Sequence, residues 1–311
     1  MFGIRAGNAE SSGNSKGEVN MLPEKIVDSH VHLFPDNLFD AIWKQFSVKY
    51  GWTVLHQLYH NKCIKYLRER DIRLIVFSNY AHRKGVAEGL NQWNVRVVDQ
   101  FQGVYCFGAY HPDDEDSLQM AEKLLRHPKV LGFKLQHLVQ SFYPDDERLF
   151  PLYEMIIRSG KRILFHVGTA PFRSEFVGIS HFRKVLKRYP ELSATVAHMG
   201  AYEYEEFFEL LDMYPQLYMD TTYAFLPDIP MHYQLGPEYL ETYKDRILYG
   251  SDFPNVIFPR EIEIENLLQL KLSQEFYTKV FWKNGVSLIK EITHDNNVGS
   301  YESPKNTLSI E

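Results

Sequence analysis

The stretch IVDSHVHLFP, residues 26–35, begins with an apolar run and contains two histidines that lie one residue apart. Side chains at positions i and i+2 of a β-strand point to the same side, so His30 and His32 could approach one ion together. The same spacing is also a common coincidence on a protein surface. The rest of the chain decides between a metal site and a surface pair, according to whether later segments repeat this arrangement.

Seven further apolar runs follow the first and are separated by segments of helix length. The eight runs are KIVDSH (25–30), IRLIVFS (72–78), VYCFGAY (104–110), VLGFKLQ (130–136), RILFHVG (162–168), LSATVAH (192–198), QLYMDTT (216–222) and RILYGSD (246–252). Spacers such as SLQMAEKLLRH carry apolar residues at three- and four-residue intervals, which is typical of amphipathic helices. Alternating strands and helices predict parallel strands, and eight such units predict an α/β fold, the (β/α)8 TIM barrel.

A doubly wound open sheet is the competing architecture, but it would need a glycine-rich phosphate-binding turn that the sequence lacks. The connection from residue 33 to 71 is longer than a minimal crossover and predicts a helical insertion after strand 1, beside the active-site mouth. Residues 1–24 are polar and without periodicity, which predicts a disordered extension. The barrel domain is expected over residues 25–291, and residues 292–311 are expected to form a C-terminal tail.

The composition narrows the class of partner. The chain has 311 residues and a net charge of −6 without a long basic run, which argues against nucleic acid or an anionic membrane and favours a small-molecule substrate. A secretory signal and a long apolar segment are both lacking, so a cytoplasmic protein is expected. Cys63 and Cys106 have no CxxC spacing and are expected to be unpaired, buried thiols.

Active sites of TIM barrels lie at the C-terminal ends of the strands, so chemically capable side chains should end these runs. Five of the predicted strands have such residues near their ends: His30 and His32, Lys134, His166, His198 and Asp252. Neutral imidazole and carboxylate are suitable ligands for Zn²⁺, Mn²⁺ or Fe²⁺. This recurrence at successive strand ends favours a metal site over a surface pair.

The motifs DSHVH, GFKLQHLVQSF, ILFHVGTAP, ATVAHMG, ILYGSDFP and FWKNGVSLI occur in this order between residues 25 and 291. In this combination they resemble the amidohydrolase superfamily, and within it the amidohydrolase-related group that includes aminocarboxymuconate-semialdehyde decarboxylase. The resemblance implies four ligands for the principal metal: His30, His32, His166 and Asp252. It also implies that His198 activates or contacts the substrate, and that the chain forms a homo-oligomer, such as a dimer that pairs through surface helices.

Lys134 bears on the number of metal ions. In two-metal relatives a carboxylated lysine at the end of strand 4 bridges the ions and the strand-6 histidine binds the second ion, roles that Lys134 and His198 would fill. The alternative is an unmodified ammonium that neutralises a substrate carboxylate or pairs with Asp252. We expect one ion, first of all Zn²⁺, with Mn²⁺ or Fe²⁺ as alternative metals and two ions as the alternative number.

A single metal ion lowers the pKa of bound water towards about 7, and His198 or Asp252 would accept the proton as general base. The predicted reaction is therefore metal-dependent hydrolysis of an amide, ester or lactone. The alternative reaction on the same site is non-oxidative decarboxylation of a small unsaturated or aromatic carboxylic acid. A metal-stabilised barrel that only binds a ligand is the non-enzymatic alternative.

Loops at the predicted mouth carry further candidate substrate contacts, namely His82, His111, Phe172, Arg173 and Tyr223. For the two histidines, hydrogen bonds that shape the loop are the alternative role. Asp28 lies on the same side of strand 1 as His30 and is expected to be a buried acid that accepts hydrogen bonds.

Overall fold

The computed structural model describes residues 22–227 and 229–300. Eight parallel strands form one sheet whose order is the order of the chain. They are β1 (Ile26–His32), β2 (Ile72–Ser78), β3 (Val104–Ala109), β4 (Val130–Gln136), β5 (Arg162–His166), β6 (Ala194–Val196), β7 (Leu217–Asp220) and β8 (Ile247–Leu248). Strands that follow each other in the chain are neighbours in the sheet, so the doubly wound alternative is excluded and the predicted (β/α)8 barrel is confirmed.

Backbone hydrogen bonds join β1 to the segment that follows β8. Ser29 N donates to Tyr249 O at 2.9 Å. Asp252 N donates to His30 O, and His32 N donates to Phe253 O, both at 2.8 Å. The first and last strands are therefore in contact, and the barrel is nearly closed.

Twelve α-helices occur in the described residues and surround or cap the strands. They are α1 (Asp36–Tyr50), α2 (His60–Arg68), α3 (Ala87–Gln100), α4 (Ser117–Leu125), α5 (His137–Gln140), α6 (Phe150–Ser159), α7 (Ile179–Arg188), α8 (Tyr204–Met213), α9 (Pro237–Thr242), α10 (Arg260–Gln269), α11 (Gln274–Thr278) and α12 (Asn284–Thr293). None of these helices has the length and apolar character needed to cross a bilayer.

Alternation along the strands divides the core into two layers. Outward-facing residues such as Phe77, Phe133 and Phe165 are buried in the layer between the sheet and the helices. Inward-facing residues such as Leu164 belong to a second cluster, in which Leu288 of α12 also takes part. The interior of the barrel is thus filled at its lower end, and polar side chains are left for the C-terminal ends of the strands.

The connection after β1 contains α1 and α2, which confirms the predicted helical insertion. Phe34, Phe39 and Trp43 form an apolar cluster of their own within it. Beyond α1, the ring of Trp52 stacks on the ring of Phe172, with centroids 5.6 Å apart. The insertion therefore reaches the loop after β5 at the mouth of the barrel.

The predicted extension, residues 1–24, lies outside the described residues except for its last three, and so do the last eleven residues of the predicted tail. Helix α12 runs to Thr293, and Val298 beyond it is 1% exposed and belongs to the inner core cluster. The first part of the predicted tail therefore packs on the barrel because it carries an apolar side chain to bury.

Both cysteines are free and buried, as predicted. Burial raises the pKa of the Cys63 thiol and of the Cys106 thiol. The thiolate, which is the reactive form, is therefore disfavoured at both positions.

Gly132 provides a test of the β4–β5 pairing. It has a φ of +146°, and a Cβ atom at this position would lie 1.6 Å from Arg162 O. We expect Gly132→Ala to lower the free energy of unfolding by at least about 2 kcal/mol, measured by urea denaturation.

Gly89→Ala is the matched control, because Gly89 is exposed within α3 and a Cβ there meets no atom within 4 Å. It is expected to stabilise the protein by about 0.5 to 1 kcal/mol, since alanine is the better helix former. A Gly132→Ala protein as stable as the natural one would contradict the close approach of the two strands.

Candidate metal centre and active site

Three side chains converge at the C-terminal end of the barrel. One ligand atom from each of His30, His32 and Asp252 lies within 4.8 Å of the others. Asp252 Oδ1 is 3.1 Å from His32 Nε2 and 3.4 Å from His30 Nε2. The two histidines of β1 thus face one point, as their spacing predicts, and the acid from the far end of the chain faces the same point.

Asp252 does not end a strand, in contrast to the prediction. Strand β8 stops at Leu248, and the chain then turns so that Asp252 adopts a left-handed backbone with φ 58°. Gly250 permits this path, because a Cβ there would lie 2.7 Å from the Cβ of His30. The close passage over β1, together with the backbone hydrogen bond to His30 O, carries the carboxylate over the barrel mouth.

Asp220, at the end of β7, fixes the orientation of His30. Its Oδ2 is 2.8 Å from His30 Nδ1. Burial lowers the pKa of His30 to about 4 in spite of the nearby Asp220 carboxylate, so the imidazole is neutral at pH 7. A neutral ring that donates its Nδ1 proton to Asp220 has a lone pair on Nε2, the nitrogen that faces Asp252.

Sequence reasoning did not single out Asp220. The signal was present, since the run QLYMDTT (216–222) places this acid at the end of the seventh strand, where the strand-end rule predicts chemistry. Its partner, however, is a histidine 190 positions away in the chain. Only the closed barrel brings the two together.

His32 and His198 are oriented in a similar way by backbone carbonyls. His32 Nδ1 lies 3.2 Å from Ser78 O, and His198 Nδ1 lies 3.2 Å from Thr222 O. These contacts select the tautomer in which Nδ1 carries the proton and Nε2 is available as a ligand or a base. Burial lowers the pKa of His198, which keeps this imidazole neutral at pH 7.

His198 follows β6 instead of ending it, which also differs from the prediction. It lies in the turn Ala197–Gly200 with φ 56° and ψ 30°. Tyr223, after β7, has φ 60°. Asp252 and Met199, which follows His198 in the same turn, share the left-handed conformation that residues with a Cβ normally avoid, and such positions are concentrated at functional sites.

His166 ends β5 as predicted but lies outside the set of three converging ligands. Its Nε2 is 2.9 Å from Ala170 O, and its ring centroid is 4.8 Å from that of His198. Its Nδ1 is buried and has no hydrogen-bond partner among the described residues. This free imidazole nitrogen, at the same mouth as two further imidazoles and a carboxylate, adds to a set of donors whose chemistry fits a divalent cation.

Lys134 reaches the same centre from β4. Its side chain is fully buried, and Nζ lies 3.4 Å from His30 Nε2. Burial lowers the pKa of Lys134 to about 8, against the opposing attraction of Asp220 and Asp252. The amine is therefore close enough to the centre for either of its predicted roles, and at pH 7 the ammonium form still prevails.

The predicted substrate contacts are distributed around the mouth. Phe172 and Arg173 line an open cavity of about 650 Å³. Its other lining residues are Pro171, Tyr202 and Pro230. His111 is buried after β3, whereas His82 after β2 is exposed.

Tyr223 stands beside His198, with ring centroids 6.0 Å apart. Its hydroxyl donates to Asn255 O at 2.8 Å. The phenol oxygen thus already has a protein partner, so the ring is the part of Tyr223 that remains to shape the site.

Asp28 is the buried, hydrogen-bonded acid that the sequence predicts. Its carboxylate accepts hydrogen bonds from Ser251 Oγ at 2.6 Å and from Ser251 N at 3.1 Å. Burial raises the pKa of Asp28 to about 6, although Arg260 acts in the opposite direction. These bonds hold the turn that carries Asp252.

Comparison with protein families gives a match to the amidohydrolase model over residues 27–288. No curated protein sequence matches the chain. The family match covers the eight strands and nearly all of the helices that surround them.

Several solved structures share the fold. An uncharacterised TIM-barrel protein from Bordetella bronchiseptica matches with a TM-score of 0.65 and 17% identity, over 86% of this chain and 99% of its own. A second match is a 5-carboxyvanillate decarboxylase from Novosphingobium aromaticivorans in complex with manganese and 4-hydroxy-3-methoxy-5-nitrobenzoic acid. Its TM-score is 0.63 and its identity is 14%, over 86% of this chain and 96% of its own. A candidate 2-pyrone-4,6-dicarboxylic acid hydrolase from Pseudomonas putida matches with a TM-score of 0.57 and 15% identity, over 87% of this chain and 99% of its own. At identities this low, the structural matches establish a shared fold alone.

Asp220→Asn tests the fit of the site to a metal. The amide cannot hold the His30 ring as a carboxylate does, so we expect the affinity for Zn²⁺ or Mn²⁺ to fall by about 10- to 100-fold, measured by competition with a chelator. Asp212→Asn is the control, since Asp212 is an exposed acid that accepts a hydrogen bond from Tyr243. Equal affinities in the two variants would show that Asp220 does not support a metal ligand.

Proposed function

Because the chain belongs to the amidohydrolase family, we propose that it is a metal-dependent hydrolase that acts on an amide, ester or lactone bond of a small molecule. The observation that carries the proposal is the convergence of His30, His32 and Asp252 at the mouth of a barrel. A neutral histidine, His198, lies beside them, with its ring centroid 5.4 Å from that of His30.

Four side chains would hold the metal: His30, His32, His166 and Asp252. Imidazole and carboxylate ligands suit Zn²⁺, with Mn²⁺ and Fe²⁺ as alternatives, and one ion is proposed. When bound, the ion would polarise the carbonyl group of the substrate and lower the pKa of water at the site. Burial lowers the pKa of His30 and of His166, so both rings are neutral at pH 7 and each has a lone pair free to bind the ion.

His198 is proposed as the general base. Its Nδ1 is occupied by Thr222 O, so Nε2 would take the proton from the attacking water and later donate it to the leaving group. Burial alone would raise the pKa of Asp252, but the neighbouring His32 outweighs burial and holds that pKa well below its usual range. The Asp252 carboxylate is therefore ionised and able to bind the metal. It is also the alternative acceptor of the same proton.

A second candidate reaction is non-oxidative decarboxylation, and Lys134 is the observation that favours it. A buried ammonium close to the centre would neutralise the carboxylate of a substrate. In this reaction the bond between carbon and carboxylate breaks, CO₂ leaves, and a proton taken up from solvent and relayed through His198 replaces it on the carbon. The shared fold with a manganese-containing 5-carboxyvanillate decarboxylase is in keeping with this alternative.

The two reactions differ in their use of water. Protein loaded with Zn²⁺ or Mn²⁺ is assayed with dihydrocoumarin and 2-pyrone-4,6-dicarboxylate for ring opening, and with 5-carboxyvanillate for CO₂ release. Hydrolysis in H₂¹⁸O incorporates one labelled oxygen into the product. Turnover of a lactone with incorporation of label supports the hydrolase. CO₂ release without incorporation, and without lactone turnover, would establish the decarboxylase in its place.

His198→Asn separates catalysis from metal binding. On a substrate turned over in that assay, we expect a loss in kcat of about 10²- to 10⁴-fold because the proton acceptor is gone, with the metal content by elemental analysis unchanged. His127→Asn is the matched control, because His127 precedes β4 and pairs with Asp99 at the opposite end of the barrel. Full activity in the His198 variant would exclude the proposed base.

A further inference from the structure

Gln136 occupies a position in the mouth that the reaction above does not use. It is the last residue of β4 and lies two positions after Lys134, so its side chain points to the same side of the sheet as the lysine. In the β4–β5 ladder its partner is His166. Gln136 therefore stands one layer above Lys134 and beside His166, at the entrance to the metal centre.

The backbone around Gln136 is held by Gln140. The Gln140 Oε1 atom accepts a hydrogen bond from Gln136 N at 2.8 Å. Its Nε2 donates to Ala81 O at 2.9 Å and to Tyr110 O at 2.8 Å. One buried amide thus ties the end of β4 to the loops after β2 and β3, which carry His82 and His111.

The two neighbouring glutamine side chains differ in how their polar atoms are satisfied. Both oxygen and nitrogen of Gln140 have partners, whereas Gln136 Oε1 is buried and has none among the described residues. Gln136 is only 8% exposed. A buried acceptor without a donor lowers stability, and an apolar side chain of the same shape would avoid that cost.

We propose that the Gln136 amide is a substrate-recognition group, whose oxygen accepts a hydrogen bond from an O–H or N–H of the substrate. The inference rests on the proposed function, because it takes the mouth beside the metal centre as the place where the substrate binds. It deepens that function by naming a feature of the substrate: a hydrogen-bond donor on the part that faces the ends of β4 and β5. A site that satisfies such a donor selects against molecules that lack it.

The first experiment measures stability, because a recognition group and a structural group respond in opposite ways. Gln136→Met removes the unpaired oxygen and keeps the volume, so the thermal midpoint is expected to equal or exceed that of the natural protein. Gln140→Met leaves the backbone groups of Gln136, Ala81 and Tyr110 unpaired, so its midpoint is expected to fall. A drop in the Gln136 variant as large as in the Gln140 variant would make Gln136 structural and overturn the proposal.

The second experiment measures selectivity with matched probes. The metal-loaded protein is titrated by calorimetry with 2-, 3- and 4-hydroxybenzoate and with the corresponding methoxybenzoates, which lack the donor. The natural protein is expected to prefer at least one hydroxyl isomer about tenfold over its methoxy partner, and Gln136→Met to lose the preference. No preference in the natural protein, or a preference that survives in the variant, would mean that Gln136 Oε1 meets water only and would overturn the proposal.

The tests of Gln136 can fail or succeed independently of the proposed hydrolase activity. Metal content is measured in both glutamine variants, and neither change is expected to alter it. A hydroxyl preference that depends on Gln136, in a protein that turns over none of the assayed substrates, would support the recognition group and count against the hydrolase. Lactone turnover without a hydroxyl preference would support the hydrolase and count against the recognition group.

Discussion

The hydrogen bonds between β1 and the segment after β8 are the constraint on which the site depends. They connect residues that are more than two hundred positions apart in the chain, and they place Asp252 over the two histidines of β1. An open sheet with the same eight strands would keep the histidines at one edge and the acid at the other. Closure of the barrel therefore creates the donor set, and no single strand contains it.

The seventh strand adds the second connection between distant parts of the chain. Asp220 binds the His30 ring, and its other oxygen accepts a hydrogen bond from the backbone N–H of His198. Burial alone would raise the pKa of Asp220, but attraction and a hydrogen bond from His30 outweigh burial and hold that pKa well below its usual range. The Asp220 carboxylate thus orients both the ring of His30, a proposed metal ligand, and the backbone of His198, the proposed base.

The fold was predictable because all eight apolar runs became strands and the alternation with helices fixed their order. The placement of His30, His32, Lys134 and His166 on strands followed from the same pattern. What the pattern could not provide were distances across the barrel, on which the role of Asp220 depends, and hydrogen-bond satisfaction, which distinguishes Gln136 from Gln140. It also missed that His198 and Asp252 lie beyond their strands, since periodicity does not report a left-handed backbone.

The left-handed residues His198, Tyr223 and Asp252 at the mouth lower the stability of the fold. Glycine would adopt these conformations freely, whereas a side chain there costs on the order of 1 kcal/mol at each position. His198, Tyr223 and Asp252 are retained against that cost. Selection of this protein for heat resistance alone would therefore favour glycine at these positions, and it would remove the side chains that line the mouth of the barrel.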